Sequence, residues 1–146
     1  MIVNKRAKFD YEILETYEGG LVLKGFEVKA IRAGKMSLKG SYAVMKVSGA
    51  KREIYLINAH ISPYQQANTP TDYDPTQARK ILLHRKEINS LIGKVKQKSL
   101  TLVPICVYNK RNKIKIEFGL AKGKGQIDKR EDIKKREAER EIRKHL

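Results

Sequence analysis

The chain has 146 residues, 40% of them hydrophobic, with 32 Lys and Arg against 16 Asp and Glu and a formal net charge of +16. This length favours one domain with its own core, and the charge favours a polyanionic partner, either nucleic acid or an anionic membrane surface. No apolar run approaches the roughly 20 residues that span a bilayer, and the N-terminus lacks the apolar segment of a secretion signal. We therefore expect a cytoplasmic protein without a membrane partner, in which the single Cys106 is a buried structural thiol.

The positive charge is divided between two parts of the chain. Residues 122–146 carry 10 basic and 6 acidic side chains, so that residues 1–121 retain 22 basic and 10 acidic ones, a net charge of +12. A body this basic should bind a polyanion by itself. We expect a polyanion-binding domain over residues 1–121 and a flexible basic tail over residues 122–146.

The first third of the chain predicts a basic arm, a strand and a helix. Residues 1–8 form the arm, and the apolar residues that follow, interrupted by Gly19 and Gly20, predict a strand with a bend or bulge at the glycines. Val28 and Ile31 lie three residues apart before Gly34, as in a short helix with a C-terminal glycine.

The middle third predicts two strands, a loop and a helix. The "SGAK" turn joins two strand-like runs, whose expected core residues are Tyr42, Val44, Ile54 and Leu56. The polar, proline-bearing run from Ser62 to Lys80 predicts a functional or disordered loop. Its tyrosines, Tyr64 and Tyr73, could stack on a base or simply pack on the surface. A stripe with helical spacing then follows at Ile88, Leu91, Ile92 and Val95.

Residues 100–123 predict a β-hairpin. Its second strand alternates strictly between apolar residues and Lys, Glu or Gly, and the "NKRN" run supplies the turn. The apolar positions are Ile114, Ile116, Phe118 and Leu120. Five or six short strands with a helix between strand groups predict a mainly β fold with short helices, as a small antiparallel OB-like barrel. A split α+β sandwich is the alternative.

The motifs of common enzymes are missing from the sequence. It has no H-E-x-x-H pattern, no G-x-S-x-G elbow, no Walker-type loop and no G-x-G-x-x-G motif after a strand. We therefore expect no enzymatic activity, no cofactor and no bound metal. The "GLAKGKG" run is interpreted as a flexible basic hinge.

A cationic cluster lies around the start of the predicted helix that contains Ile88, Leu91, Ile92 and Val95. Arg79 and Lys80 lie before three apolar residues, and His84, Arg85 and Lys86 begin the helix. Helix N-termini bind phosphate through free backbone N–H groups and the helix dipole. Pattern alone supports a phosphate site and a solvated helix face equally.

The tail predicts a helix from about residue 129 to 145. Asp128 and Glu131 have the spacing of a capping box, and acid-first i, i+4 pairs follow. The apolar residues of this segment make no continuous stripe, so the helix should be marginal alone and have no face to bury. They are Ile133, Ala138, Ile142 and Leu146. Either the end is frayed and solvated, or it folds on an RNA surface.

Four segments, in order, resemble the signature blocks of the SsrA-binding protein family, also called small protein B. They are "GFEVKAIRAG", "NAHISPY", "RKILLHRKEI" and "GLAKGKGQIDKRE", and the similarity runs from about Asn4 to the C-terminus. The resemblance implies a bacterial cytoplasmic protein with an OB-like barrel and a tail that is disordered when free and helical when bound.

The resemblance also implies a function, which is trans-translation. Such a protein binds the tRNA-like domain of transfer-messenger RNA and brings it to stalled ribosomes, working with alanyl-tRNA synthetase and elongation factor Tu. Its tail occupies the empty mRNA path of the small subunit near the decoding centre. Charge alone leaves open a general rRNA-coating protein, and an RNA-modifying enzyme is disfavoured by the missing catalytic motifs.

Two groups of residues match the positions that the family uses. The implied RNA contacts are Asn4, Lys5, Arg6, Glu18, Lys80, Leu82 and His84. The implied ribosome contacts in the tail are Lys122, Gly123, Lys124, Ile127, Asp128, Lys129, Arg130, Lys134 and Lys135. Where members of the family often have His or Tyr, Ile127 offers only apolar contact, and the loop before Arg79 lacks the family's additional arginines.

Overall fold

The computed structural model describes residues 1–65, 67, 69–96, 100–123 and 137–142. The strands are β1 (Ile2–Val3), β2 (Tyr11–Leu21), β3 (Met36–Ser37), β4 (Tyr42–Ser48), β5 (Lys51–Ile57), β6 (His60–Ile61), β7 (Arg79–Leu82), β8 (Leu100–Lys110) and β9 (Lys113–Gly123). The helices are α1 (Ala7–Asp10), α2 (Gly25–Arg32) and α3 (Arg85–Lys96), and residues 137–142 form a further helical segment, the tail helix.

The strands close into an antiparallel barrel. The main sheet has the order β1-β8-β4-β5-β7-β2-β9, and β8 also pairs with β9. Six strands, in the order β8-β4-β5-β7-β2-β9, therefore form a closed ring, because the first and the last of them pair with each other. β1 pairs with β8 outside this ring. The mainly β class with short helices and an antiparallel barrel is thus confirmed.

The predicted hairpin of β8 and β9 forms the largest part of the core. Ile114, Ile116, Phe118 and Leu120 are all buried, as their alternation predicts. The turn residues Arg111 and Asn112 have φ values of 51° and 64°. Left-handed conformations at both central residues are those of a type I′ turn, whose twist matches that of the paired strands. Cys106 is buried in β8, as predicted.

The predicted bend at Gly19 and Gly20 is wrong, because β2 continues through both glycines to Leu21. The irregularity lies earlier, between Ile13 and Glu15. The glycines serve close packing instead: a Cβ built on Gly19 would lie 2.7 Å from Ile81 Cγ2 and 2.9 Å from the Leu82 carbonyl oxygen. Gly19 therefore lets β2 approach β7.

The face assigned to β4 is also corrected. Ile54 and Leu56 of β5 are fully buried in the core, as predicted, but their partners in the core cluster on β4 are Ala43 and Met45. Tyr42 and Val44 lie opposite Ile57 and Tyr55 in the ladder. Residues that are directly opposite in a ladder share a face, so Tyr42 and Val44 lie on the outer side of the barrel.

Both predicted helices are confirmed. The first is α2, which ends at Arg32 and is followed by Gly34 at a φ of 76°. The second, α3, begins at Arg85 and buries Leu91 and Ile92. It starts later than the apolar run suggested, because Ile81 and Leu82 belong to β7.

The tail departs from the prediction in two respects. Lys122 and Gly123 are the last residues of β9, where Gly123 pairs with Tyr11, rather than the start of a hinge. The tail helix does bury a face, since Ala138 and Ile142 are only 1% and 2% exposed. These residues lie one turn apart and need only a short apolar patch, which the outer faces of β4 and β5 supply.

Candidate nucleic-acid interface

Three of the predicted RNA-binding residues share one outer face, across the seam of β2 and β7. Gly20 lies opposite Leu82 in this antiparallel pair. Glu18 precedes Gly20 by two residues and Lys80 precedes Leu82 by two, so all three side chains point the same way. The register of two strands brings together residues that are about 60 positions apart in the sequence.

The carboxylate of Glu18 is held by two neighbours from the β8–β9 hairpin. The Tyr108 hydroxyl donates a hydrogen bond to Glu18 Oε2, and Lys110 Nζ lies 3.3 Å from Oε1. The Tyr108 hydrogen bond, assisted by Lys110, lowers the pKa of the Glu18 carboxyl below its usual value, while burial and this bond raise the pKa of Tyr108. Glu18 is therefore an ionised acceptor in a fixed position, with lone pairs left for a ligand.

Leu82 is an exposed apolar side chain in a basic environment. It is 52% exposed, and a Cβ built on the opposite Gly20 would lie 3.8 Å from Leu82 Cβ and 4.0 Å from Lys115 Nζ. His84 follows two residues later, is exposed, and accepts the Ile88 N–H through its carbonyl at 3.1 Å at the start of α3. Leu82 offers a surface for an unstacked base, with cations nearby for phosphate.

Lys80 has an ion-pair partner within the protein. Its Nζ lies 3.1 Å from Glu53 Oε2, and the Tyr55 hydroxyl donates to the same carboxylate at 3.0 Å. Although burial acts against it, the hydrogen bonds from Lys80 and Tyr55 lower the pKa of Glu53. A phosphate that binds Lys80 must therefore compete with Glu53.

The sequence placed Arg79 in a cationic cluster, but its side chain is buried. Its side chain is 1% exposed and its Nη2 lies 2.8 Å from Oε2 of the equally buried Glu27. Arg79 Nη1 also donates to the Ala59 carbonyl at 2.6 Å, and the Tyr73 hydroxyl donates to Glu27 at 3.0 Å. A buried guanidinium needs such partners, so Arg79 fixes the start of β7 instead of contacting phosphate. The hydrogen bond to Glu27 also holds the Tyr73 side chain within the fold, which favours its packing there over stacking on a base.

The N-terminal arm lies apart from Glu18. The Asn4 side-chain amide donates to the Pro104 carbonyl at 2.8 Å, and its Oδ1 accepts the Arg6 N–H at 3.3 Å. Lys5 and Arg6 are exposed, and Arg6 pairs with Asp10 at 3.2 Å. With β8 and β9 between β1 and β2, the arm is about 14 Å from β2 at roughly 4.8 Å per strand.

Sequence reasoning missed three residues of the same surface, namely Tyr108, Lys110 and Lys115. They come from the hairpin, and only the pairing of β9 with both β2 and β8 places them beside Glu18. The alternation of β9, with Lys113 and Lys115 on its outer side, was the available signal. We call the surface formed by Glu18, Leu82, Tyr108, Lys110 and Lys115 the Leu82 face.

The tail contacts fall mainly outside the described residues. Lys122 and Gly123 end β9. The remaining predicted residues lie outside the described part: Lys124, Ile127, Asp128, Lys129, Arg130, Lys134 and Lys135. Within the described part, no three His, Cys, Asp or Glu side chains are grouped as a metal site would require, and the helices there are too short or too polar to cross a membrane.

Comparison with known proteins agrees with this arrangement. The chain is 55% identical over 143 residues to an SsrA-binding protein of Acetivibrio thermocellus, covering 98% of this chain and 90% of that protein. It is 52% identical over 143 residues to an SsrA-binding protein of Gloeothece citriformis, with the same coverage. A solved structure described as "tmRNA-SmpB: a journey to the center of the bacterial ribosome" superposes with a TM-score of 0.67 at 47% identity, over 96% of this chain and 94% of that one.

The match to a described family extends over the whole chain. The family "SmpB protein" matches residues 1–146. Together with the identities above 50%, this match shows that the similarity first seen in four short segments extends over the full sequence. The chain belongs to the SmpB family.

Proposed function

We propose that this chain binds the tRNA-like domain of transfer-messenger RNA and brings it to stalled ribosomes for trans-translation. The observation that carries the proposal is the Leu82 face, where an ionised acceptor, an exposed leucine and two lysines lie together. The names of the relatives and of the superposed structure, which refer to SsrA, tmRNA and the ribosome, support this assignment.

Each part of the Leu82 face suits one part of a structured RNA. Glu18 can accept hydrogen bonds from a base edge, which distinguishes one base from another, or from a 2′-hydroxyl, which distinguishes RNA from DNA. Leu82 can pack on an unstacked base, and Lys110 and Lys115 can neutralise phosphates. Lys80 and His84 extend the contact along β7 towards α3, and Asn4, Lys5 and Arg6 form a second contact across the barrel.

The rest of the proposed activity requires other molecules. The tail would contact small-subunit rRNA in the empty mRNA path near the decoding centre, through its lysines and arginines. Alanyl-tRNA synthetase would charge the RNA and elongation factor Tu would carry it, so that the chain acts in the cytoplasm as a binding protein without a catalytic step, metal or cofactor of its own.

The test compares two glutamates with similar surroundings. Glu15 is held by Lys94 at 2.7 Å and by Tyr17, much as Glu18 is held by Lys110 and Tyr108, but it faces α3. Glu18→Gln removes the charge that strengthens the hydrogen bonds to RNA, and it should weaken binding of the tRNA-like domain by about 10- to 100-fold. Glu15→Gln should leave it within about two-fold.

The assay is filter binding at several salt concentrations, with an unrelated tRNA as competitor. Lys115→Gln should lower the slope of log affinity against log salt by about 0.7–0.9. Equal affinity for the two RNAs would instead indicate a general RNA-coating protein. Equal effects of Glu18→Gln and Glu15→Gln would remove the Leu82 face from the binding site.

A further inference from the structure

Three carboxylates on the outside of the barrel are each held by one tyrosine and one lysine. Tyr108 and Lys110 hold Glu18, Tyr17 and Lys94 hold Glu15, and Tyr55 and Lys80 hold Glu53. The first of these carboxylates belongs to the Leu82 face, where it would meet RNA. The Glu15 carboxylate instead binds a lysine of α3 and gives a matched comparison within the same chain.

Tyr108 reaches Glu18 across an intervening strand. Tyr108 lies on β8 and Glu18 on β2, and β9 pairs with both of these strands. Two strand spacings of about 4.8 Å therefore separate the two backbones, a distance that requires a long side chain. The half-buried Tyr108 side chain extends over β9, where Lys115 is its partner in the ladder, and its hydroxyl donates to Glu18 Oε2. Because a tyrosine side chain has only two torsions to fix, this donor is held at a small cost in entropy.

The charged neighbours of Glu18 do not fix its carboxylate by themselves. Lys110 Nζ lies 3.3 Å from Oε1 and 3.4 Å from Oε2, and the lysine side chain is 53% exposed. Such an exposed pair contributes little, because two long side chains lose rotamer freedom when they meet. Lys115 attracts the same carboxylate from β9, and Glu117, directly opposite Glu18 in the ladder, repels it. Without Tyr108 the carboxylate is free to turn towards Lys115 or into water.

We propose that Tyr108 is a positioning residue for RNA binding, which holds the Glu18 carboxylate in the orientation that accepts hydrogen bonds from RNA. This inference rests on the proposed function, since it concerns how the Glu18 contact forms. The tyrosine hydroxyl occupies one lone pair of Oε2, and both carboxylate oxygens keep further lone pairs for donors of the RNA. A glutamate loses rotamer freedom when it is fixed, and Tyr108 imposes part of that loss before the RNA arrives.

The first test removes one hydroxyl and keeps the ring. The rotamer entropy of a free glutamate corresponds to roughly ten- to thirty-fold in affinity. Because Lys110 remains in Tyr108→Phe, this variant should bind the tRNA-like domain about five- to twenty-fold more weakly in filter binding with the full chain. Tyr17→Phe removes the hydroxyl that donates to Glu15 at 2.5 Å, and its affinity should stay within about two-fold.

A double substitution separates positioning from direct contact with RNA. In Glu18→Ala no carboxylate is left to be held, so the addition of Tyr108→Phe should change the affinity by less than about two-fold. A tyrosine hydroxyl that contacted RNA by itself would lose the same factor with and without Glu18.

Nuclear magnetic resonance of the free protein measures the hydrogen bond without RNA. The Tyr108 hydroxyl, and after it Lys110, lower the pKa of the Glu18 carboxyl, so in Tyr108→Phe this pKa should rise towards the ordinary value of a glutamate. In Tyr17→Phe the pKa of Glu15, which Lys94 and then Tyr17 lower, should rise, whereas that of Glu18 should stay unchanged. Carbon-detected titration of the two side chains follows both, and a role of Tyr108 in packing alone would not produce this difference.

The outcomes distinguish the positioning role from the RNA site. An unchanged pKa of Glu18 in Tyr108→Phe, or an equal loss of affinity on the Glu18→Ala background, would overturn the inference. Tyr108→Phe binding within two-fold of the unsubstituted chain, while Glu18→Ala binds weakly, would also overturn it and leave the proposed function intact. Full affinity in Glu18→Ala would remove Glu18 from the RNA contact, and the positioning role would fail together with the proposed use of the Leu82 face.

Discussion

Gly19→Ala tests whether close approach of β2 to β7 requires a glycine. The added Cβ would lie 2.7 Å from Ile81 Cγ2 and 2.9 Å from the Leu82 carbonyl oxygen. Carbon atoms pack best at about 3.5–4.0 Å, so the contact with Ile81 Cγ2 is too short by about 1 Å, and the contact with the carbonyl oxygen is also closer than a Cβ can lie without a shift of the backbone. The side chain of Ile81 is buried in the core and the carbonyl is part of the β7 backbone, so relief requires the two strands to separate.

The magnitude follows from two opposing effects. Overpacking of this kind costs typically about 1–3 kcal/mol. Replacing glycine by alanine stabilises the folded state by about 0.4–1 kcal/mol, because it lowers the conformational entropy of the unfolded chain. We therefore expect Gly19→Ala to lose about 1–2 kcal/mol of unfolding free energy. The neighbouring Gly20→Ala is the control, since its Cβ would meet Leu82 Cβ at an ordinary 3.8 Å and should be neutral or slightly stabilising.

Urea denaturation of both variants measures these free energies, and RNA affinity measured alongside links them to the site. Because the strained contact lies at the Leu82 carbonyl, Gly19→Ala should also move Leu82 and weaken RNA binding. If the two substitutions change stability equally, close strand approach is not the reason for the glycine.

Two further predictions concern the buried ion pair and the tail. Glu27→Gln leaves Arg79 buried without its counter-charge and should cost about 3–5 kcal/mol in urea denaturation. Glu15→Gln, at an exposed pair, should change stability far less, and equal losses would contradict the buried network. A chain ending at Gly123 should retain binding to the tRNA-like domain but lose peptide tagging on stalled ribosomes, and equal loss of both would place the tail in the first binding site. The cut follows Gly123 because β9 pairs with β2 up to that residue.

The sequence predicted elements whose signals are local. In β9 the strict alternation identified Ile114, Ile116, Phe118 and Leu120 as core residues, because one face of that strand packs inward. It did not identify Ala121, which is buried in a separate cluster. The turn at Arg111 and Asn112 was found for the same reason: a short polar run between two apolar strands has few other conformations.

Errors arose where a distant segment changes the environment. Tyr42 is buried, as predicted, but it lies with the half-buried Val44 in a separate cluster outside the barrel, because β4 has apolar residues on both faces and the tail helix covers the outer one. Arg79 seemed to be an exposed cation because its counter-charge, Glu27, lies 52 positions away. Local pattern contains no information about such partners, so both errors follow from tertiary contacts.

The two surfaces of the barrel meet at Lys80. Tyr55 packs under the tail helix, its hydroxyl donates to Glu53, and Glu53 pairs with Lys80 on the edge of the Leu82 face. If this surface binds RNA, Lys80 must exchange Glu53 for a phosphate, so we expect its net gain to be smaller than that of Lys115, which forms no ion pair among the described residues although its charge acts on Glu18. We therefore expect Lys115, which the family resemblance did not identify, to contribute more to the affinity for RNA than Lys80, which it did.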